Sequence, residues 1–146
     1  VSAHQAIVDL LRQRSRPYLF SNSVAPAVVA GSLKALELVS TSSQARETLQ
    51  RNASLFRTLM SEAGFDLLPG SHPIIPVMFP GEDGARTAAA VADHMLAGSG
   101  VYVIAFSFPV VPKGRARIRV QLSAAHSEDD VRQCVDAFVS ARAVVA

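Results

Sequence analysis

The segment Ala116-Arg-Ile-Arg-Val-Gln-Leu122 decides how we interpret the fold, because its residues alternate in character. Apolar side chains stand at every second position, and charged or polar ones stand between them. Since successive side chains of a strand point to opposite faces of a sheet, the alternation predicts a strand with one face in a core. Arg117 and Arg119 would then share the outer face.

A guanidinium held on a strand is a rigid planar donor that can bind a carboxylate or a phosphate through two hydrogen bonds. Arg117 and Arg119 are therefore two candidate anion-binding residues. The alternative is a half-exposed strand whose arginines are simply solvated, as the polar faces of antiparallel sheets commonly are.

Composition indicates one compact globular domain. The chain has 146 residues, of which 49% are hydrophobic and 18% charged, enough to bury a core. No apolar run approaches the roughly 18 residues of a membrane span, and the first residues lack the features of a signal peptide.

The chain has one cysteine, Cys134, which excludes a disulfide framework and fits a reducing cytoplasm. We expect Cys134 in the core. The four histidines never have the spacing of a helical metal pair, so we expect no metal site.

The net charge of +2 is small, although arginines cluster in residues 12–16 and 113–119. Such clusters can contact nucleic acid, but no aromatic residues alternate with them to stack on bases. We therefore expect no nucleic-acid partner. A non-enzymatic module that binds an anion or nucleic acid through its arginines remains the alternative function.

Helices dominate the first part of the predicted order, which continues β, β, α, β, β, α. A capping box at Ser2–Gln5 predicts a helix over Ala3–Arg14, which Pro17 ends by holding Arg16 extended. The segment Ala27–Val39 is apolar around its whole circumference and is predicted to be a buried helix. Three further helices are predicted. The first runs from a capping box at 41–44 to Gly64. The second lies around 88–96, where Ala88, Val91, Ala92, Met95 and Leu96 repeat at helical spacing, and the third follows Ser127, with Val131, Val135, Phe138 and Val139 facing inward.

Four segments are predicted as strands: 65–68, 74–79, 101–106 and 116–122. Pro76 places the second at an edge or at a bulge, because proline cannot donate a ladder hydrogen bond. The last two, joined by a short loop, should be antiparallel. We predict an α+β fold, with a three- or four-stranded mainly antiparallel sheet and helices packed on one face.

The polar residues Ser21-Asn-Ser23 precede the apolar helix, whose first turn should contain Pro26. Hydroxyl groups, free backbone amides and the positive end of a helix together suit an anion, typically a phosphate. The alternative is ordinary capping of the helix by Asn22 or Ser23.

Three segments, Ser15–Ser23, His72–Met78 and Val111–His126, resemble the α-oxoamine synthases, pyridoxal-phosphate enzymes of the fold-type I aminotransferase superfamily. The resemblance runs over essentially the whole chain but covers only the C-terminal part of the family's length. It implies the C-terminal small domain, with residues 1–40 as a helical segment that connects from the large domain and 41–146 as the α+β part. The segment Pro80–Thr87 looks longer than is usual in the family, and many members carry Thr where Asn22 stands.

The resemblance also implies an activity and its site. The Lys113-Gly-Arg-Ala-Arg-Ile-Arg119 form favours the branch that condenses glycine with acetyl-CoA to give 2-amino-3-oxobutanoate and CoA. The resemblance implies a homodimer, and we expect a cytoplasmic location. By resemblance, Arg119 binds the glycine carboxylate, and Ser21 and Asn22 contact the phosphate of pyridoxal phosphate across the dimer interface.

No catalytic residue is carried over to this chain, and Arg117 receives no role. The family's Schiff-base lysine lies upstream of the matching segment, and neither Lys34 nor Lys113 corresponds to it. We therefore expect the isolated chain to be inactive and to lack the cofactor.

Overall fold

The computed structural model describes residues 2–145. The chain divides into two compact units, Val1–Ser42 and Ser43–Ala146, called here unit 1 and unit 2. Unit 1 is helical, and its elements are α1 Gln5–Arg14, α2 Arg16–Phe20 and α3 Pro26–Thr41. Unit 2 mixes helices and strands in the order α4 Gln44–Glu62, β1 Ile74–Pro80, α5 Gly84–Ser99, β2 Ile104–Phe106, β3 Arg115–Gln121 and α6 Glu128–Val145.

The first helix begins later than the predicted capping box allows. Its N-cap residue is His4, which makes no side-chain capping hydrogen bond, so the Ser2–Gln5 box is wrong. Gln5 instead donates from Nε2 to Asp9 Oδ1 at 2.8 Å, a contact one turn along the helix.

The chain bends at Ser15 rather than at Arg16. Ser15 is extended, and Arg16 opens the short helix α2, so the prediction that Pro17 holds Arg16 extended is wrong. Pro17 lies in the first turn of α2, where its missing N–H has no intrahelical partner to lose.

Helix α3 is present as predicted, but its predicted burial is wrong. None of its residues is buried, and the side chains of Leu33 and Leu36 are 62% and 65% exposed. An apolar circumference indicates that a helix prefers burial, but burial also requires side chains that cover it. Residues 2–145 do not supply such a cover.

The sheet of unit 2 has three antiparallel strands in the order β1-β3-β2. The predicted antiparallel pairing of the last two strands is confirmed, and Ile118 in the central strand pairs with Val77 and Ala105. Residues 65–68 contribute only an isolated bridge between Leu67 and Val77, so the sheet has three described strands rather than four. Pro76 does lie on an edge strand, as predicted.

Strand β2 is shorter than its composition suggests. Only Ile104–Phe106 pair with β3, whereas 101–106 were predicted. Val101 and Val103 pack against the core without joining the ladder. Their β-branched shape favours a pleated surface, but it does not provide a partner strand.

The predicted alternation of β3 is confirmed, since Ala116, Ile118, Val120 and Leu122 are all buried. Helix α5 packs on all three strands, and α6 packs against α4 and α5, so the helices cover one face of the sheet as expected. Phe138 is central, with its ring centroid 6.4 Å from that of Phe56 and 5.6 Å from that of Phe65. Val139 was predicted to face inward but is 40% exposed, and Leu96, the last residue of the helical repeat in α5, is 50% exposed.

Two helix ends in unit 2 are closed by specific hydrogen bonds, namely the start of α6 and the end of α4. The Ser127 hydroxyl accepts from the Asp130 amide at 3.1 Å, and Asp130 Oδ2 accepts from the Ser127 amide at 2.7 Å, which confirms the predicted cap. Helix α4 ends in a Schellman turn, in which Phe65 N donates to Met60 O and Gly64 has a φ of 76°. The capping box predicted at 41–44 is wrong, because the N-cap residue of α4 is Ser43 and its side chain makes no capping hydrogen bond.

Candidate functional site

The outer face of β3 presents Arg117, Arg119 and Gln121. In the sheet register, Arg119 lies between Pro76 on β1 and Ile104 on β2. Because β3 is the central strand, its backbone is hydrogen-bonded on both sides and holds the positions of these side chains.

The guanidinium of Arg119 stacks on an aromatic ring, and no described residue accepts a hydrogen bond from it. Its central carbon lies 4.6 Å from the centroid of the Phe106 ring. Within residues 2–145, the Arg119 side chain donates no hydrogen bond and forms no ion pair. Its N–H groups are therefore available to an anionic ligand.

Arg117 is arranged differently, although it is only two residues away on the same face. Its Nε donates to the backbone carbonyl of Arg115 at 3.3 Å, and the residue is half-buried. The two candidate arginines thus differ in geometry: Arg117 donates a hydrogen bond to its own strand, and Arg119 does not.

A cavity of about 470 Å³ lies beside Arg119. This volume is within the range of small-molecule sites. Its wall combines aromatic, aliphatic and polar side chains, among them Tyr102, Ile104, Phe106, Gln121, His126 and Cys134.

Cys134 contributes a neutral thiol to this wall. Burial raises the pKa of the Cys134 thiol to about 11, because a thiolate there would lose its hydration. At neutral pH the group is protonated and is a poor nucleophile or metal ligand. Cys134 packs against the core as expected, although it is only partly buried.

Ser21 and Asn22 lie in unit 1, in the segment between α2 and α3. Both are exposed and have no hydrogen-bonding partner among the described residues. The N-cap of α3 is Ala25, and no side chain caps this helix, so the capping alternative is wrong for Asn22 and Ser23. The hydroxyl and amide groups, next to a helix N-terminus without a side-chain cap, match the donor set that a phosphate requires.

Both lysines already have contacts within their own units. Lys34 Nζ is 2.7 Å from Glu37 Oε1, and Lys113 Nζ lies 5.2 Å from the centre of the Phe108 ring. Two histidines accept hydrogen bonds from the backbone: His72 Nδ1 accepts from Ile74 N, and His126 Nδ1 accepts from Ser123 N.

Among residues 2–145, no three His, Cys, Asp or Glu side chains come together in a way that could hold a metal ion. No helix in the same range combines the length and the hydropathy needed to cross a bilayer.

Sequence reasoning did not identify Phe106 as a neighbour of Arg119. It placed Phe106 in a predicted strand and Arg119 in the next one, but the register between them was unknown. The usable signal was the short loop between two antiparallel strands, which brings their outer faces together.

The chain is similar to curated proteins over most of its own length. It is 53% identical to human mitochondrial 2-amino-3-ketobutyrate coenzyme A ligase over 133 residues, which is 91% of this chain and 31% of that protein. It is 50% identical over 137 residues to the Escherichia coli K12 protein of the same name, covering 94% of this chain and 33% of that protein. The chain thus spans about a third of the length of these relatives.

Solved structures show the same fold. Serine palmitoyltransferase from Sphingomonas wittichii superimposes with a TM-score of 0.86 at 28% identity, over 99% of this chain and 36% of that one. The S. paucimobilis enzyme, solved with a bound PLP–myriocin aldimine, matches with the same TM-score, identity and coverage. The match supports the predicted fold class, the C-terminal small domain of fold-type I enzymes.

The family model gives the most general result. The model that describes aminotransferases of class I and II matches residues 1–138, which is nearly the whole chain. The names of the relatives agree with the resemblance to the α-oxoamine synthases. The chain therefore belongs to the aminotransferase class I and II family.

Proposed function

We propose that this chain is the C-terminal domain of a pyridoxal-phosphate-dependent acyltransferase that condenses glycine with acetyl-CoA to give 2-amino-3-oxobutanoate and CoA. The relatives named 2-amino-3-ketobutyrate coenzyme A ligase support this reaction class. The structural observation that carries the proposal is the guanidinium of Arg119, which lies beside a cavity and has no acceptor within residues 2–145.

In this proposal Arg119 binds the carboxylate of glycine. A planar guanidinium matches the two carboxylate oxygens with two parallel N–H donors, which fixes orientation as well as position. The bound glycine then presents its α-carbon in one orientation. Arg117, with its Nε bonded to Arg115, has no part in this binding.

Ser21 and Asn22 are proposed to hold the phosphate of the cofactor. When bound, pyridoxal phosphate supplies an electron sink for the carbanion left after the α-proton is removed. Ser21, Asn22 and the first amides of α3 would supply neutral donors to the phosphate oxygens. We propose that they do so for the partner subunit of a homodimer.

The reaction forms one carbon–carbon bond and breaks one carbon–sulfur bond. The glycine α-carbon loses a proton and joins the acetyl carbonyl carbon, and the thioester releases CoA as the thiol. Neither Lys34, which is paired with Glu37, nor Lys113 is proposed as the covalent anchor of the cofactor. The anchor is proposed to lie in the part of the relatives' length that this chain does not span, so the isolated chain should be inactive.

The proposal is tested by measuring glycine-dependent release of CoA from acetyl-CoA. The full-length protein that carries this chain should release CoA and form 2-amino-3-oxobutanoate in equal amounts when pyridoxal phosphate is present. The isolated chain should release none. Full-length protein that binds polyanions but never consumes glycine would support the non-enzymatic alternative instead.

The phosphate site has a separate test with a matched control. Ser21→Ala or Asn22→Ala in the full-length protein should raise the dissociation constant for pyridoxal phosphate about 10-fold, since each removes a hydrogen bond to a charged group. Ser32→Ala serves as the control, because the Ser32 hydroxyl bonds the Val28 carbonyl within α3. Equal cofactor binding by all three variants would exclude this role for Ser21 and Asn22.

We also propose a cytoplasmic location and a role in threonine and glycine metabolism. The human relative is named as mitochondrial, so the location needs its own measurement. Cell fractionation with detection of the full-length protein should recover it with the cytoplasmic markers. Recovery with an organelle would contradict the proposed location.

A further inference from the structure

We propose that Phe106 is the positioning residue for Arg119, holding the guanidinium plane in the orientation that receives a substrate carboxylate. The proposal rests on the proposed function of Arg119 and adds a residue to it. The observation is the 4.6 Å separation between the Arg119 guanidinium carbon and the Phe106 ring centroid.

The sheet register explains how the two side chains meet. Ile104 is directly opposite Arg119, and Phe106 is directly opposite Arg117, on the same outer face. Phe106 and Arg119 are therefore diagonal neighbours, a distance that a long side chain and an aromatic ring can bridge. The ring lies under Arg119 although its direct partner is Arg117.

Stacking on Phe106 leaves all the hydrogen-bond donors of the Arg119 guanidinium available. The five N–H donors lie in the guanidinium plane, whereas the contact with an aromatic ring uses the face of that plane. Phe106 thus restricts the rotation of Arg119 without occupying a donor. A side chain that is ordered before binding loses less conformational entropy when the ligand arrives.

A second arginine–phenylalanine pair in unit 2 shows what a purely structural stack looks like. The Arg142 guanidinium carbon lies 4.0 Å from the Phe65 ring centroid. Its donors are used, because Nη2 donates to Ala63 O at 2.6 Å and Nη1 to Gly64 O at 3.3 Å, which closes the end of α4. Arg119 has the same kind of stack but no such acceptors among residues 2–145, so its donors remain for a ligand.

The test compares two substitutions of Phe106 in the full-length protein. Phe106→Leu keeps an apolar side chain but removes the aromatic face, and it should raise the KM for glycine about threefold to tenfold, the range of an exposed to partly desolvated cation–π contact. Phe106→Tyr keeps the face and should stay within about twofold of the unmodified protein. The KM for acetyl-CoA should not change in either variant.

Phe108→Leu is the matched control. Phe108 also carries a stacked cation, Lys113 at 5.2 Å, but it does not line the cavity beside Arg119. It should leave the KM for glycine unchanged. Thermal unfolding of each variant identifies any loss of folded protein, which would lower the turnover without changing the glycine KM.

The outcomes separate this inference from the proposed function. A raised glycine KM in Phe106→Leu that Phe106→Tyr restores supports the positioning role. An Arg119→Lys variant impaired toward glycine beside a Phe106→Leu variant with normal glycine KM overturns the role of Phe106 and leaves that of Arg119. Unmodified protein that does not use glycine overturns both.

Discussion

Units 1 and 2 use apolar residues in opposite ways. In unit 1, every described residue except Val8 and Ser15 is exposed, and neither α1 nor α3 has a side-chain cap. Unit 2 contains the whole described core, and its last helix has a reciprocal Ser127–Asp130 cap. Apolar composition therefore predicts a preference for burial, whereas a partner surface decides whether burial occurs.

The largest expected contrast is between a core residue and an apolar residue of α3. Phe138→Ala in unit 2 should lower the free energy of unfolding by about 3–5 kcal/mol, because it leaves a cavity among Phe56 and Phe65. Leu33→Ala in unit 1, where the side chain is 62% exposed, should change it by less than about 0.5 kcal/mol. Urea unfolding of the 146-residue chain measures both.

Comparable losses of unfolding free energy in Phe138→Ala and Leu33→Ala would contradict the expected difference between the two units. Such a result would mean that Leu33 is packed in solution. The slope of the unfolding free energy against urea concentration provides a control, since it should be the same for both variants if the folded state is unchanged.

A smaller contrast concerns the helix caps. Ser127→Ala removes the hydroxyl that accepts from the Asp130 amide and should lower the free energy of unfolding by about 1 kcal/mol. Ser23→Ala, just before α3, removes no cap because the N-cap is Ala25, and its effect should be close to zero. Equal losses in urea unfolding would show that Ser23 makes a structural contact that its position before α3 does not explain.

The cap also gives unit 2 an acid dependence. The pKa of Asp130 is lowered mainly because the Ser127 backbone amide donates to its carboxylate, with further lowering by the Ser127 hydroxyl. The pKa of Asp130 is thus lower in the folded chain than in the unfolded chain, so its ionised carboxylate stabilises the folded state. This stabilisation is present above the ordinary aspartate pKa, near pH 4, and is lost as the pH falls through the folded pKa.

Comparing Asp130→Asn with the unmodified chain between about pH 7 and pH 2 measures this dependence. The stability advantage of the aspartate should shrink toward low pH, and in a Ser127→Ala background it should shrink less. An advantage that does not change with pH would contradict the assigned cause.

Sequence alone predicted most of unit 2, because the signals there are local. The alternation of Ala116–Leu122 identified a buried and an exposed face, and Ser127–Asp130 identified a helix start. It could not predict that only Ile104–Phe106 would pair, since pairing depends on a partner strand distant in sequence. The burial of α3 was predicted wrongly for the same reason.

For the candidate site, sequence predicted two arginines on one face but could not distinguish them by geometry. The distinction depends on Phe106 from a different strand and on the Arg115 carbonyl that binds Arg117. Resemblance selected Arg119, and the structure adds an independent distinction, since its guanidinium donates to no acceptor among the described residues.

The most direct test of the account is the KM for glycine of Arg119→Lys compared with Arg117→Lys in the full-length protein. Lysine keeps the charge but loses the two-pronged donor, so Arg119→Lys should raise the glycine KM by about 10- to 100-fold and leave the acetyl-CoA KM unchanged. Arg117→Lys should stay within about twofold. A normal glycine KM in Arg119→Lys, or an equal rise in both variants, would contradict the central claim that Arg119 receives the substrate carboxylate.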